Sequence, residues 1–159
     1  MRRKRFILAL ILDMALVPVS GWPAGGQTVD SQTTGAIDPA LLAKANAGDA
    51  VSEVLVGESY AAGKGVVQDY NEAADWYRKA AEQGDVGAQA TVGLLYSIGQ
   101  GLPQSYVEGY YWLDLAAQAK GPNQEKYAAN RQMIGTHITA DELADVEERV
   151  AKWLATHPR

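Results

Sequence analysis

Two glycine-bearing stretches are the first residues in this chain whose types and spacing suggest chemistry: GKGVVQDY at 63–70 and GQGLPQSY at 99–106. A Gly-x-Gly loop can cradle a phosphate when its backbone N–H groups converge ahead of a helix N-terminus. A dinucleotide fingerprint needs a third glycine, a strand before the loop and a helix after it. Neither stretch has the third glycine, and each follows a helical pattern, so both read as helix ends and turns. His137 and His157 are the only histidines, and His137 has just Asp141, four residues on, as a neighbour in sequence. That is not a metal-ligand spacing, and His137 reads as a solvated turn residue. Glu142, Asp145, Glu147 and Glu148 form an acidic run, which is a solvated helix face or the contact of a basic partner. Trp76 and Trp112 could be mistaken for a ligand cage, but their matching positions in two similar segments make them core. Gly-x-Ser-x-Gly is absent and no Ser/His/Asp set assembles from local motifs. No catalytic residue, cofactor-binding residue or metal ligand is assigned, and the chain is not expected to be an enzyme.

Composition narrows the classes further. The 159 residues suit one domain with a buried core; 47% are apolar and 21% charged, which is globular rather than disordered. A net charge of −5 argues against a broad nucleic-acid footprint, which needs clustered Lys and Arg. With no cysteine, disulfides, thiolate zinc sites and thiol nucleophiles are out of reach. MRRKR, the apolar stretch Phe6 to Val19 and the small residues of SGWPAGG have the layout of a secretory signal peptide over residues 1–26, with Asp13 interrupting the apolar stretch. Cleavage after Gly21 or Gly26 fits, and retention as an N-terminal anchor is the alternative. Contact with a membrane is otherwise not expected. Cleaved after Gly26, the chain keeps 10 Lys+Arg against 18 Asp+Glu, a net charge of −8. The expected location is the periplasm or the exterior of a bacterium.

The elements that would position any site come from a repeat. A shift of thirty-six residues pairs Gly48-Asp49 with Gly84-Asp85, Gly57 with Gly93 and Tyr60 with Tyr96. It also pairs Gly63 with Gly99, Gly65 with Gly101, Tyr70 with Tyr106, Trp76 with Trp112, and Ala80-Ala81 with Ala116-Ala117. Each unit predicts two antiparallel helices. Helix A of the first unit spans 50–62, with Asp49 as N-cap and Gly63 as the left-handed residue that ends it. Helix B starts at Tyr70, with Asp69 and Glu72 as a capping box that Ser105 and Glu108 repeat. Gly84 ends the first B helix and Gly121-Pro122 the second. Residues 27–37 are polar and aperiodic and predict a flexible leader; 38–48 predict a lone B-type capping helix with Pro39 at its first position. Residues 49–84 and 85–121 are the two units. Residues 122–159 predict two capping helices: one from Gln124 to Met133 with Asn123 as N-cap, and one opened by Thr139 and Glu142 with Leu143, Val146, Val150 and Trp153 on one stripe. The expected fold is all-α: seven helices in a short right-handed α-solenoid.

DYNEAADWYRKAAEQGDVGAQATVGLLYSIGQG resembles the Sel-one-like repeat (SLR), a relative of the tetratricopeptide repeat. Val92, Gly93, Tyr96, Gly99 and Gly101 match the first half of its pattern; Trp76, Tyr77, Lys79, Ala80, Ala81, Gly84, Ala88 and Gln89 match the second. Leu102-Pro103 and Ser105 depart from it, where Gly-Val-x and Asp are usual. The resemblance spans residues 40–120 and implies a scaffold or adaptor for a protein or peptide partner, without a cofactor. Cysteine-rich relatives imply an alternative, a cell-wall or β-lactam hydrolase, although this chain lacks their cysteines. In such stacks the A helices line the inner face. Val56, Gly57 and Tyr60, like Val92, Gly93 and Tyr96, are committed to packing. That leaves Val54, Leu55, Glu58, Thr91, Leu94, Leu95 and Ile98 as the expected partner-binding residues, a small apolar groove with one acid. Two full units offer little surface, so a homo-oligomer could extend it.

Overall fold

The computed structural model describes residues 36–157; the expected signal peptide and all but the end of the expected leader lie outside them. Seven helices follow in order: α1 Pro39–Asn46, α2 Ala50–Ala62, α3 Tyr70–Glu82, α4 Val86–Ile98, α5 Tyr106–Gln118, α6 Gln124–Gly135 and α7 Ala140–Thr156. Among the described residues there is no strand. Consecutive helices from α1 to α6 pack on one another, so the chain is an all-α solenoid of repeats.

Local chemistry sets the boundaries. Asp49 and Asp85 cap the two A helices by accepting from Ser52 N and Ala88 N, and Asp69 and Ser105 cap the two B helices. The turns between them repeat bond for bond. Lys64 N donates to Ser59 O at 2.8 Å as Gln100 N does to Leu95 O at 3.1 Å; Asp69 N donates to Tyr60 O at 3.0 Å as Ser105 N does to Tyr96 O at 2.9 Å. Gln68 and Gln104 brace these turns by donating from Nε2 to Ala61 O and Ser97 O, and to the hydroxyls of Tyr70 and Tyr106.

Four expectations about ends are corrected. Asp69 and Ser105 cap their helices, but only the forward half of the capping box forms; Glu108 turns instead to Arg149 on α7. The full reciprocal box is present at Thr139 and Glu142. Helix α5 stops at Gln118, ahead of Gly121-Pro122, and α6 runs two residues past Met133 to Gly135 without a side-chain cap from Asn123. Ile37 is not leader: it is buried with Ala45, Val56 and Trp76. It sits one residue before the N-cap Asp38, the place from which an apolar side chain staples a helix start.

The main core joins Ala73, Ala74, Tyr77, Ala80 and Ala81 of α3 to Val92 and Leu95 of α4, and to Trp112 and Leu115 of α5. It also includes Val146 and Val150 of α7. Small residues let the helices approach. A Cβ at Gly93 would lie 2.9 Å from Gly109 O, and one at Gly109 would lie 2.9 Å from Gly93 O while colliding with Ser97 Oγ. The repeat order breaks at the end. Helix α7 packs principally on α5, not on its sequence neighbour α6, and Trp153 stands over Gly84 beyond α3. The last helix folds back over the B helices and closes their apolar face.

Candidate partner-binding site

The glycine turns are spent on structure. Gly63, Gly65, Gly99 and Gly101 all take positive φ, between 65° and 79°. A Cβ at Gly101 would collide with Tyr70 O, so the second turn seats directly on the start of α3. The α3 N-terminal donors that a phosphate would need are taken by Asp69, which accepts from Asn71 N and Glu72 N and adds a negative charge there. Trp76 and Trp112 are buried, and Lys79 Nζ lies 3.6 Å above the Trp76 ring. His137 is exposed and stacks on Tyr106 at 4.5 Å between centroids. His157 stacks on Trp153 at 4.1 Å with its Nδ1 2.9 Å from Thr156 Oγ1. Among the described residues no three of His, Asp and Glu are grouped to hold a metal.

The expected partner-binding residues divide by helix. On α2, Leu55 is 43% exposed and Glu58 is exposed, while Val54 is half-buried against the main core. On α4, Leu94 and Leu95 are buried at 9% and 7%, and Leu95 is part of the core cluster, so neither can take up a partner without the core opening. Thr91 and Ile98 are half-buried, and Thr91 Oγ1 donates to Gly87 O. The difference follows from the neighbours. Helix α4 lies between two thirteen-residue helices, α3 and α5, whereas α2 lies between α3 and the eight-residue α1, which covers less of it. Val51, 64% exposed and one turn before Leu55, belongs to the same strip and was not singled out in the sequence. Its spacing to Leu55 and Glu58, at i, i+4 and i+7, is the signal that marks it.

Buried carboxylates are engaged. Asp114 pairs with Arg131, and Glu53 Oε2 accepts from Gln83 Nε2 at 2.6 Å. Burial pushes the Glu53 carboxyl above its ordinary value, with Lys79 opposing. A hydrolase would need such a group facing a cleft, next to a nucleophile or an attacking water. A cleft of ≈ 380 Å³ does lie between α5, α6 and α7, but Glu53 and both histidines are absent from its lining, and its buried acid, Asp114, is neutralised by Arg131.

Comparison with known proteins agrees with this architecture. The Sel1 repeat model matches residues 50–85 and 86–120. No curated protein matches the sequence. The chain is similar to a protective antigen present in uropathogenic Escherichia coli strains that displays an SLR fold, at 30% identity and a TM-score of 0.66, over 74% of this chain and 25% of that one. It is also similar to a Sel1 repeat protein from Oxalobacter formigenes, at 35% identity and a TM-score of 0.53, over 56% of this chain and 26% of that one. It therefore spans about a quarter of the length of each. With two Sel1 repeats at 50–120 and a helix or helices on either side of them, this chain has an all-α solenoid similar to the SLR fold.

Proposed function

We propose that this chain is an exported protein-interaction module, and that its partner is a protein segment seated on α2 of the first repeat. The observation that carries the reading is the strip of Val51, Leu55 and Glu58: two apolar side chains more than two-fifths exposed, one helical turn apart, beside an unburied acid. Such a strip suits the apolar face of a helix or an extended peptide, with Glu58 fixing a basic residue at its edge. Export rests on residues 1–26, with a basic start and an apolar stretch in the order a signal peptide requires. Two repeats make a small platform, so a second copy of the chain is one form the partner can take.

The test is affinity capture from the native cell envelope and culture supernatant with the wild-type chain and with Leu55→Asp. Leu55 is exposed, so the variant keeps its fold. The expected result is a partner retained by the wild type and lost, by about tenfold or more, from the variant. Equal recovery by both chains, or confinement of the native protein to the cytoplasmic fraction, would sink the proposal.

A further inference from the structure

The cleft between α5, α6 and α7 is built around an incomplete charge pair. Asp114, 5% exposed on α5, binds Arg131 of α6 through Oδ1. Its other oxygen, Oδ2, takes no hydrogen bond among the described residues, yet Asp114 lines the cleft. That oxygen is not sealed from solvent: it opens onto the cleft, where it can still accept a hydrogen bond. Glu147 of α7 lines the same cleft. It belongs to the acidic run, but its neighbours there are occupied: Glu142 closes the capping box, Asp145 lies 3.9 Å from Arg149, and Glu148 pairs with Lys152 at 2.6 Å. Glu147 alone of the four has neither an ion pair nor a side-chain hydrogen bond among the described residues. With Asp114 neutralised by Arg131, Glu147 leaves the cleft one negative charge in excess. One wall is apolar, formed by Val150, Ala151 and Leu154 along the same helix.

We propose that this cleft accepts a lysine or arginine side chain of a protein partner. The aliphatic stem lies along Val150, Ala151 and Leu154, and the cationic head donates to Glu147 and to the open oxygen of Asp114. Charge complementarity selects this occupant over an acidic one. Residues 36–157 carry seventeen Asp and Glu against nine Lys and Arg, a field that gathers cations and repels carboxylates. The inference rests on the interaction-module reading but not on the α2 strip, which lies on a different helix.

The test is amide NMR on the full chain, titrated with the blocked peptide acetyl-Gly-Lys-Gly-amide, its norleucine twin and its glutamate twin. The lysine peptide is expected to move the amides of Gln118, Arg131 and Ala151 saturably. Norleucine, with the same stem and no charge, should bind about tenfold more weakly, and glutamate should not bind. Glu147→Gln, an exposed substitution, should weaken the lysine peptide about fivefold and leave the other amides in place. Equal binding of the norleucine or glutamate peptide, an unchanged affinity in Glu147→Gln, or no saturable shift at the cleft would overturn the proposal. Shifts confined to α2 would overturn it while leaving the α2 strip standing.

Discussion

One buried carboxylate departs from a rule that its counterparts obey. Gln89 on α4 donates from Nε2 to Ala81 O at 3.2 Å, and Gln124 on α6, one residue short of the repeat register, donates to the equivalent carbonyl, Ala117 O, at 3.2 Å. The thirty-six-residue shift places Glu53 opposite Gln89, and Ala45 opposite Ala81. An ionised Glu has no proton to give that carbonyl, and at 3% exposure it has little water to compensate. It makes do with Gln83 and the more distant charge of Lys79, against Asp49 and Glu82 of like sign. Because burial raises its folded pKa above the ordinary 4.5, the folded state holds the proton more tightly than the unfolded one. Its cost to stability is therefore absent below about pH 4.5 and grows as pH rises through the raised folded value. Glu53→Gln is expected to stabilise the chain by on the order of 1 kcal/mol at neutral pH, with the gain vanishing in acid. Thermal unfolding of both chains from pH 4 to 8 checks this, and a gain independent of pH would contradict it.

At the scale of elements, caps and crossings fix the geometry. Helix lengths and N-caps follow from Asp49, Asp69, Asp85 and Ser105, each bonding its own first turn, so the start of every repeat helix was legible in the sequence. Closeness was legible only as glycine in register. The structure shows what the glycines admit: α4 and α5 cross with Gly93 and Gly109 backbone to backbone, and Ser97 Oγ fills the remaining gap by donating to Gly93 O at 2.6 Å. Gly109→Ala is expected to cost roughly 2–3 kcal/mol, since neither the Gly93 backbone nor the bonded Ser97 hydroxyl can yield without parting the helices. Gly121→Ala, whose Cβ would meet nothing within 4 Å, should stay within about 0.5 kcal/mol. Urea denaturation of the two variants separates close packing from a general intolerance of added methyls. Equal losses would refute the crossing as the cause.

At the scale of the whole molecule, α7 decides how the solenoid ends. Arg149 binds Glu108 through two parallel bonds of 2.9 Å and lies 4.4 Å from the Tyr111 ring, clamping α7 to α5. The hydrogen bonds to Glu108 also hold the Arg149 pKa above its ordinary value. Both partners are about one-third exposed, which moderates the gain. Arg149→Ala is expected to cost about 1 kcal/mol, read as faster amide exchange across α7 with α2 and α3 unchanged; uniform acceleration over all helices would argue that α7 is not separately held. The sequence by itself determined the period, the seven helices, their caps and the apolar stripe of α7, because each is a local pattern of spacing and hydrogen-bonding type. The tertiary structure decided which A-helix residues remain open, burying Leu94 and Leu95 while leaving Val51 and Leu55 in solvent, and where α7 lies. Exposure depends on the length and position of neighbouring helices, and a repeat that looks identical along the chain is flanked differently at each place in the stack.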